Sequence, residues 1–288
     1  MDATPFLVKP NKPVSLRDFD PGNTGTLNAK QDGEAALAES RARLAKYQDK
    51  LYAQNERALL VILQAIDAAG KDGTIKHVMS GVNPMGCQVY SFKAPSPEER
   101  DHDYLWRFNT RLPERGRFGL FNRSYYEDVL VTRVHPEFIS GAQLPAEIRD
   151  DKKIYKRRYA HINAYEEYLV ENGITVLKFF LHVSKAEQKK RLLERINDPA
   201  KNWKFDERDV HERAHWDEYM RAFEDCFEAT STTHAPWHII PADNKWFTRY
   251  AVAQIMADAL KGMNLAYPEV TAEQREALQR AKAALEAE

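Results

Sequence analysis

Apolar residues fall along this chain in five short runs, and between the runs Leu, Ile and Ala recur at helical spacing. ALLVILQAI (58–66) is almost continuously apolar, the pattern of a central parallel strand buried on both faces. CQVYSF (87–92), RFGLFNR (117–123), ITVLKFFLHV (174–183) and WHIIPA (237–242) complete the predicted strands. Helices are predicted over 34–54, over 75–82, from Pro97 to Asn109 and through SYYEDVLVTRV. A long helix follows from Asp150 to Glu171, with Ile154, Ile162, Tyr165 and Leu169 on one stripe and Gly173 placed to end it. Residues 185–230 read as charged helices broken near Asp198-Pro199, and Phe247 to Leu260 as a closing helix. This alternation from 58 to 262 predicts an α/β fold with a parallel sheet and helices on both faces. The expected organisation is an N-terminal arm and helix packed on the core (1–54), a main domain (55–262) and a C-terminal tail (263–288). The first 33 residues of the arm, rich in Pro, Gly, Asn and Asp, are expected on the surface. The segment at about 185–230 has no strand of its own and reads as a helical lid between the fourth and fifth strands.

The chain has 288 residues, 43% hydrophobic and 30% charged, which suits a folded domain with a sizeable core. Its longest apolar run falls far short of the roughly 20 residues that span a bilayer. The opening MDATPFLVKPNKP has no secretory pattern, so the expectation is a cytoplasmic protein without a membrane partner. Two cysteines, Cys87 and Cys226, permit neither a disulfide framework nor a four-cysteine zinc site, and both are expected to be inert packing residues. The nine histidines show no HExxH spacing.

Lys and Arg total 42 against 43 Asp and Glu, a formal charge of −1. That balance argues against coating nucleic acid through bulk positive charge. It leaves a small polyanion open if basic residues segregate locally. Clusters occur at 152–158 and at 185–195, with a looser set of arginines between Arg100 and Arg133. Each also suits a solvated helix face, and its meaning depends on a phosphate site nearby.

Such a site is suggested by AIDAAGKDGT (65–74), which leaves a buried strand and opens a helix. Backbone N–H groups gather at a helix N-terminus, where the dipole also favours anions. Gly70 permits close approach, and Lys71 adds a point charge able to bridge phosphate oxygens. The loop departs from the common phosphate-loop pattern, with Ala65 for the first glycine and Asp72 where Ser or Thr is usual. Asp67 and Asp72 could replace the lost hydroxyl as oxygen ligands of Mg²⁺. An ordinary glycine-containing turn remains the competing reading. The third strand ends in Asn122, Arg123 and Ser124, facing the loop across the sheet. Arg123 is placed to stabilise charge on a transferring phosphoryl group. Glu127 is the nearest acid, and it equally suits the start of a helix.

In this order, QAIDAAGKDGTIKHV, YLWRFNTRLPERGRFGLFNRSYYEDVLV and WDEYMRAFEDCFEATSTTHAPWHIIPADNKWF resemble the polyphosphate kinase 2 family. The resemblance runs from about Leu44 to Leu260. It implies a phosphate-loop three-layer sandwich similar to thymidylate kinase, with a helical lid. It also implies reversible, Mg²⁺-dependent phosphoryl transfer between inorganic polyphosphate and nucleoside mono- or diphosphates, taking AMP to ADP and ADP to ATP. Asn122 and Glu127 resemble the class III pattern, implied to use both kinds of acceptor.

Carried over by residue, the resemblance gives Asp67, Lys71, Arg123 and Glu127 catalytic roles. Asp67, Asn122 and Glu127 become the metal candidates, for Mg²⁺ or Mn²⁺. Ala68, Ala69, Gly70, Asp72, Gly73, Thr74, Arg111, Arg117 and Arg133 are expected to bind phosphate or polyphosphate. Lys189, Arg191, Arg195, Lys204 and Arg208 are the lid candidates. Expected partners are polyphosphate, AMP, ADP, ATP and guanine nucleotides, in a homodimer or homotetramer that binds no nucleic acid. Polyphosphate has no base to read, so its site should be a basic groove. Trp203 and Phe205 could stack a nucleotide base, although anchoring of the lid helices is the expected role. Two other functions fit the same loop: an ATP-dependent nucleoside monophosphate kinase, and a non-enzymatic domain that binds nucleotide or polyphosphate.

Overall fold

A computed structural model describes residues 2–288. Five strands form one fully parallel sheet: β1 (Ala58–Gln64), β2 (Cys87–Ser91), β3 (Phe118–Asn122), β4 (Ile174–His182) and β5 (Trp237–Pro241). Their spatial order is β2-β3-β1-β4-β5. All five lie within the predicted runs. β1 is central and buried at every position, with Leu60 between Gly119 of β3 and Val176 of β4.

Successive strand side chains point to opposite faces, so β1 feeds two cores. Leu59, Val61 and Leu63 pack with α1 (Lys30–Gln54), α2 (Lys71–Val78) and α7 (Lys245–Gly262), against residues such as Leu44, Val78 and Met256. Leu60 and Ile62 pack with α3 (Glu127–Val134), α4 (Ile154–Glu171) and α6 (Trp216–Thr230), against Val129, Ile162 and Phe227. Helices therefore cover both faces of the sheet, giving the expected three-layer α/β sandwich. α5 (Lys185–Asn197) follows β4, and α8 (Ala272–Glu286) ends the chain with no buried residue. Among the described residues, no helix is long and apolar enough to cross a membrane.

Several elements depart from the sequence pattern for local reasons. α2 begins at Lys71 rather than Ile75, because Gly70 at φ +110° turns the chain straight into the helix. The helix predicted from Pro97 to Asn109 is two short ones, Pro97–Asp101 and Trp106–Asn109. Between them His102 is extended, and the Asp103 carboxylate accepts from the Leu105 N–H. The N-terminal arm is only partly a surface feature. Phe6, Val8 and Leu16 are buried, and the Val8 N–H donates to the Trp237 carbonyl at 2.9 Å. The arm thus covers the outer edge of β5, which would otherwise present unpaired backbone groups. In the inserted segment, α6 buries Ala222, Phe223, Cys226 and Phe227 and belongs to the core. From Leu193 to His215 no residue is buried, and this is the lid-like part.

Candidate active site

In a parallel sheet every strand delivers its C-terminal end to the same edge, and ligands bind where the strand order reverses. β1, whose neighbours are β3 and β4, marks that point here. Residues 65–70 leave β1, with Ala68 at φ +61° and Gly70 at φ +110°. The first helical hydrogen bond of α2 runs from the Thr74 N–H to the Gly70 carbonyl. The N–H groups of Gly70, Lys71, Asp72 and Gly73 therefore lie ahead of the helical ladder. Lys71 Nζ reaches back to the carbonyls of Ala65 (2.8 Å) and Ile66 (3.4 Å). Burial, with the like charge of Arg123, lowers its pKa to about 8, although Asp67, Glu127 and Asp72 oppose the shift. Ala68, Ala69 and Thr74 are buried within this turn.

Across the edge, Arg123 follows β3 in a left-handed conformation, φ +65°, with its N–H bonded to the Leu63 carbonyl of β1. Its guanidinium forks between Asp67 Oδ1 at 2.6 Å and Glu127 Oε2 at 3.1 Å. The negative charge of Glu127, with that of Asp67, holds Arg123 above its usual pKa despite its partial burial. Asn122 donates from Nδ2 to Asp72 Oδ1 at 2.6 Å, while its buried Oδ1 has no partner. Asp67, Lys71, Asp72, Asn122, Arg123 and Glu127 are thus gathered at one edge of the sheet. A cleft of about 490 Å³, counting space open to solvent, is lined by Asp67, Arg123 and Glu127 together with Gln188, Glu212, Arg213, Trp216 and Tyr219.

Most of the other predicted basic residues lie elsewhere or are already engaged. Arg191, 4% exposed, donates to the carbonyls of Ala69 (2.8 Å), Ala68 (3.2 Å), Ala242 (2.6 Å) and Asp243 (3.0 Å) and to Glu187 (2.9 Å). It clamps the loop to the chain beyond β5 and offers no free donor to a substrate. Arg195 pairs with Asp209 at 2.9 Å, and the exposed Arg208 with Asp206 at 2.6 Å. Lys189 lies on an outer groove with Lys190 and Lys201. Lys204 sits over the Trp203 ring, 4.9 Å from its centre. Trp203 is 77% exposed, so it anchors no core, while Phe205 is half-buried.

Arg117 precedes β3 and stands at the opposite edge of the sheet, about 16 Å from Asn122 along the strand. It binds Glu114 and the Met85 carbonyl there, which removes it from the phosphate set. Arg133 lies in the last turn of α3, about 9 Å along the helix from Glu127, and pairs with Asp225. Arg111 is exposed and lies over the Tyr90 ring, 5.4 Å from its centre.

The structure adds residues that sequence reasoning missed. The Gln188 amide donates to the Asp67 carbonyl at 3.0 Å, a second tie from α5 to the loop. Glu212 accepts from Tyr219 at 2.6 Å, and Arg213 donates to Gln188 Oε1 at 2.7 Å. Burial, then the charge of Asp67, raises Asp209 to about 6, although its partner Arg195 opposes the shift. The spacing of Arg213, Trp216, Tyr219 and Phe223, at intervals of three, three and four, was the available signal of one face turned to the cleft. Among the described residues, no group of three or more His, Cys, Asp or Glu is arranged to hold a metal ion.

Comparison with known proteins places these features in a family. The sequence model described as polyphosphate kinase 2 matches residues 27–268. An ADP-polyphosphate phosphotransferase of Rhodopseudomonas palustris is 49% identical over 273 residues, covering 95% of this chain and 94% of that protein. An AMP/ADP-polyphosphate phosphotransferase of Meiothermus ruber is 43% identical over 265 residues, covering 92% and 95%. The crystal structure of polyphosphate kinase 2 from Arthrobacter aurescens superposes with a TM-score of 0.84 at 45% identity, covering 93% of each chain.

Proposed function

This chain belongs to the polyphosphate kinase 2 family, and we propose from that premise that it transfers phosphoryl groups between inorganic polyphosphate and nucleotides. AMP and ADP are the proposed acceptors, and ATP is the product of the second step and the donor in reverse. The observation that carries the reading is the convergence of Lys71, the free amides of 70–73 and the Arg123 fork on Asp67 and Glu127 at one sheet edge.

Phosphoryl transfer asks for in-line positioning and neutralisation of the equatorial oxygens rather than covalent help. Lys71 holds a compact charge just inside the loop, ready to exchange the Ala65 and Ile66 carbonyls for phosphate oxygens. Arg123 supplies a planar fork, which suits a phosphoryl group. Arg191 and Gln188 engage the carbonyls of Asp67, Ala68 and Ala69, leaving the loop's amides for the anion. Closure of the stretch between α5 and α6 would exclude water from the anhydride.

Mg²⁺ is the proposed cofactor. It takes oxygen ligands, usually one or two carboxylates with substrate phosphates and waters. The residues present fit that chemistry. Asn122 Oδ1 is buried without a partner, and Asp67 and Glu127 each keep an oxygen that Arg123 does not engage. When bound, the ion would neutralise phosphate oxygens between these groups. Glu127, at the cleft wall, is the proposed determinant of the class III range, monophosphates as well as diphosphates. Guanine nucleotides as acceptors, a homodimer or homotetramer and a cytoplasmic location belong to the same proposal.

The test supplies AMP or ADP with Mg²⁺ and either polyphosphate or ATP as donor, and quantifies nucleotides over time. The proposal expects ADP and ATP from polyphosphate alone. Turnover with ATP only would make the protein a nucleoside monophosphate kinase, and no turnover with either would leave a binding domain.

A further inference from the structure

The core on the α3, α4 and α6 side of the sheet contains a charge pair that never reaches the cleft. Lys178, midway along β4, and Glu166, on α4, have no solvent exposure and lie 2.6 Å apart. Lys178 Nζ also donates to Tyr126 Oη at 2.9 Å and to the Thr230 carbonyl at 2.7 Å. Glu166 Oε1 accepts from Tyr125 Oη and Tyr126 Oη, each at 2.8 Å. All three ammonium protons and both carboxylate oxygens are therefore engaged.

Stability alone gives little reason for such a pair. Removing two ions from water costs about as much as their attraction returns, and apolar residues of similar volume often serve as well. What the pair does supply is direction, because it joins four segments at fixed geometry. Tyr125 and Tyr126 are the second and third residues after Arg123, and Tyr126 precedes Glu127, the first residue of α3. Arg123 itself sits at φ +65°, a conformation that persists in a residue with a Cβ only where its surroundings over-determine it. Thr230 ends α6, the helix that carries Trp216 and Tyr219 to the cleft.

We propose that Glu166 and Lys178, acting through Tyr125 and Tyr126, are positioning residues that hold the turn bearing Arg123 and Glu127 in its productive geometry. This rests on the reading that Arg123 meets the transferring phosphoryl group. None of the four touches substrate. Their effect reaches the reaction through the aim of the Arg123 fork.

The test uses the full chain with ADP, polyphosphate and Mg²⁺. The Tyr125→Phe/Tyr126→Phe double variant keeps both rings and removes both hydroxyls. The expected result is a kcat about tenfold lower with both KM values within about twofold, since ground-state binding is untouched. In an Arg123→Lys background the same two substitutions should cost less than about twofold, because no fork remains to be aimed. Removing one charge alone would strand the other, so the pair is replaced together as Glu166→Leu/Lys178→Met. That variant strands the two tyrosine hydroxyls and the Thr230 carbonyl, so it should melt below wild type, yet it should still fold and show the same kcat loss. Equal losses in both Arg123 backgrounds, or an unchanged kcat in the paired replacement, would overturn the proposal. If the wild type transferred from ATP and not from polyphosphate, the functional reading would fall, while the same ratios measured with ATP would still decide this one.

Discussion

Replacing Arg123 by glycine should separate activity from stability. The substitution removes the contacts to Asp67 at 2.6 Å and Glu127 at 3.1 Å. The arginine side chain is 36% exposed, so solvent screens both pairs. At about 0.5–1 kcal/mol each, their loss costs about 1–2 kcal/mol. Arg123 also holds a left-handed φ of +65°, which costs a residue with a Cβ about 1–2 kcal/mol and glycine almost nothing. Glycine's freer unfolded chain takes back about 0.5–1 kcal/mol. The three effects nearly cancel, leaving Arg123→Gly within about 1 kcal/mol of wild type, or ~2 °C in Tm for a chain of this size. Arg123→Ala loses the same pairs and keeps the strain, so it should melt about 2–4 °C below wild type. Both variants should lose about 10²–10³-fold in kcat, the usual loss for one transition-state electrostatic group. Thermal unfolding and steady-state transfer from polyphosphate to ADP, run on both proteins, check the two halves. If Arg123→Gly melts at or below Arg123→Ala, the strain argument is wrong. If either retains kcat within about threefold of wild type, Arg123 does not meet the reacting phosphoryl group.

Three further outcomes follow from the same geometry. Burial lowers Lys71 to about 8, so its ammonium is lost from the free enzyme above that pH. The profile of kcat/KM for polyphosphate should fall above about pH 8, and Lys71→Arg should remove that limb; a wild-type profile flat to high pH would contradict it. The stability sign is the reverse: the burial cost is present below the folded pKa of about 8 and is relieved as pH rises towards the ordinary 10.5. Arg191→Met leaves four backbone carbonyls without their donor, and at about 1–3 kcal/mol per stranded buried acceptor it should cost at least ~4 kcal/mol. Denaturant titration measures that loss, and hydrogen exchange should quicken first across residues 66–74. Chelation with EDTA should stop transfer and leave Tm unchanged, because no cage of three or more acidic or imidazole side chains exists among the described residues.

The strands and the loop were legible because their signals are local. A parallel strand buried on both faces must be apolar along its length, and ALLVILQAI is. The glycine and lysine at the start of α2 mark themselves in the same way. The arginines were legible as charges but not as partnerships. Arg191 meets Ala242, 51 positions away, and Arg133 meets Asp225, 92 away, and nothing in the local pattern encodes such distances. Arg117 was misplaced because proximity in sequence to Arg123 hides that a strand separates them by its full length. The N-terminal arm looked like surface because its short apolar pieces owe their burial to distant partners, Phe6 to the Phe247 ring of α7 and Val8 to the edge of β5. Lys178 was a visible anomaly, a charge inside ITVLKFFLHV, and its partner Glu166 lay twelve residues earlier on the predicted helix.

The central claim is that the loop after β1, Lys71 and Arg123 together grip the phosphates that react. A crystal structure with a short polyphosphate and a non-transferable ADP analogue tests it directly. The account predicts phosphate oxygens within hydrogen-bonding distance of Lys71 Nζ, the amides of residues 70–73 and the Arg123 guanidinium. A polyphosphate chain seated instead in the outer groove, along Lys189 and Lys190 of α5 and Lys201 beyond it, with the loop empty, would contradict it.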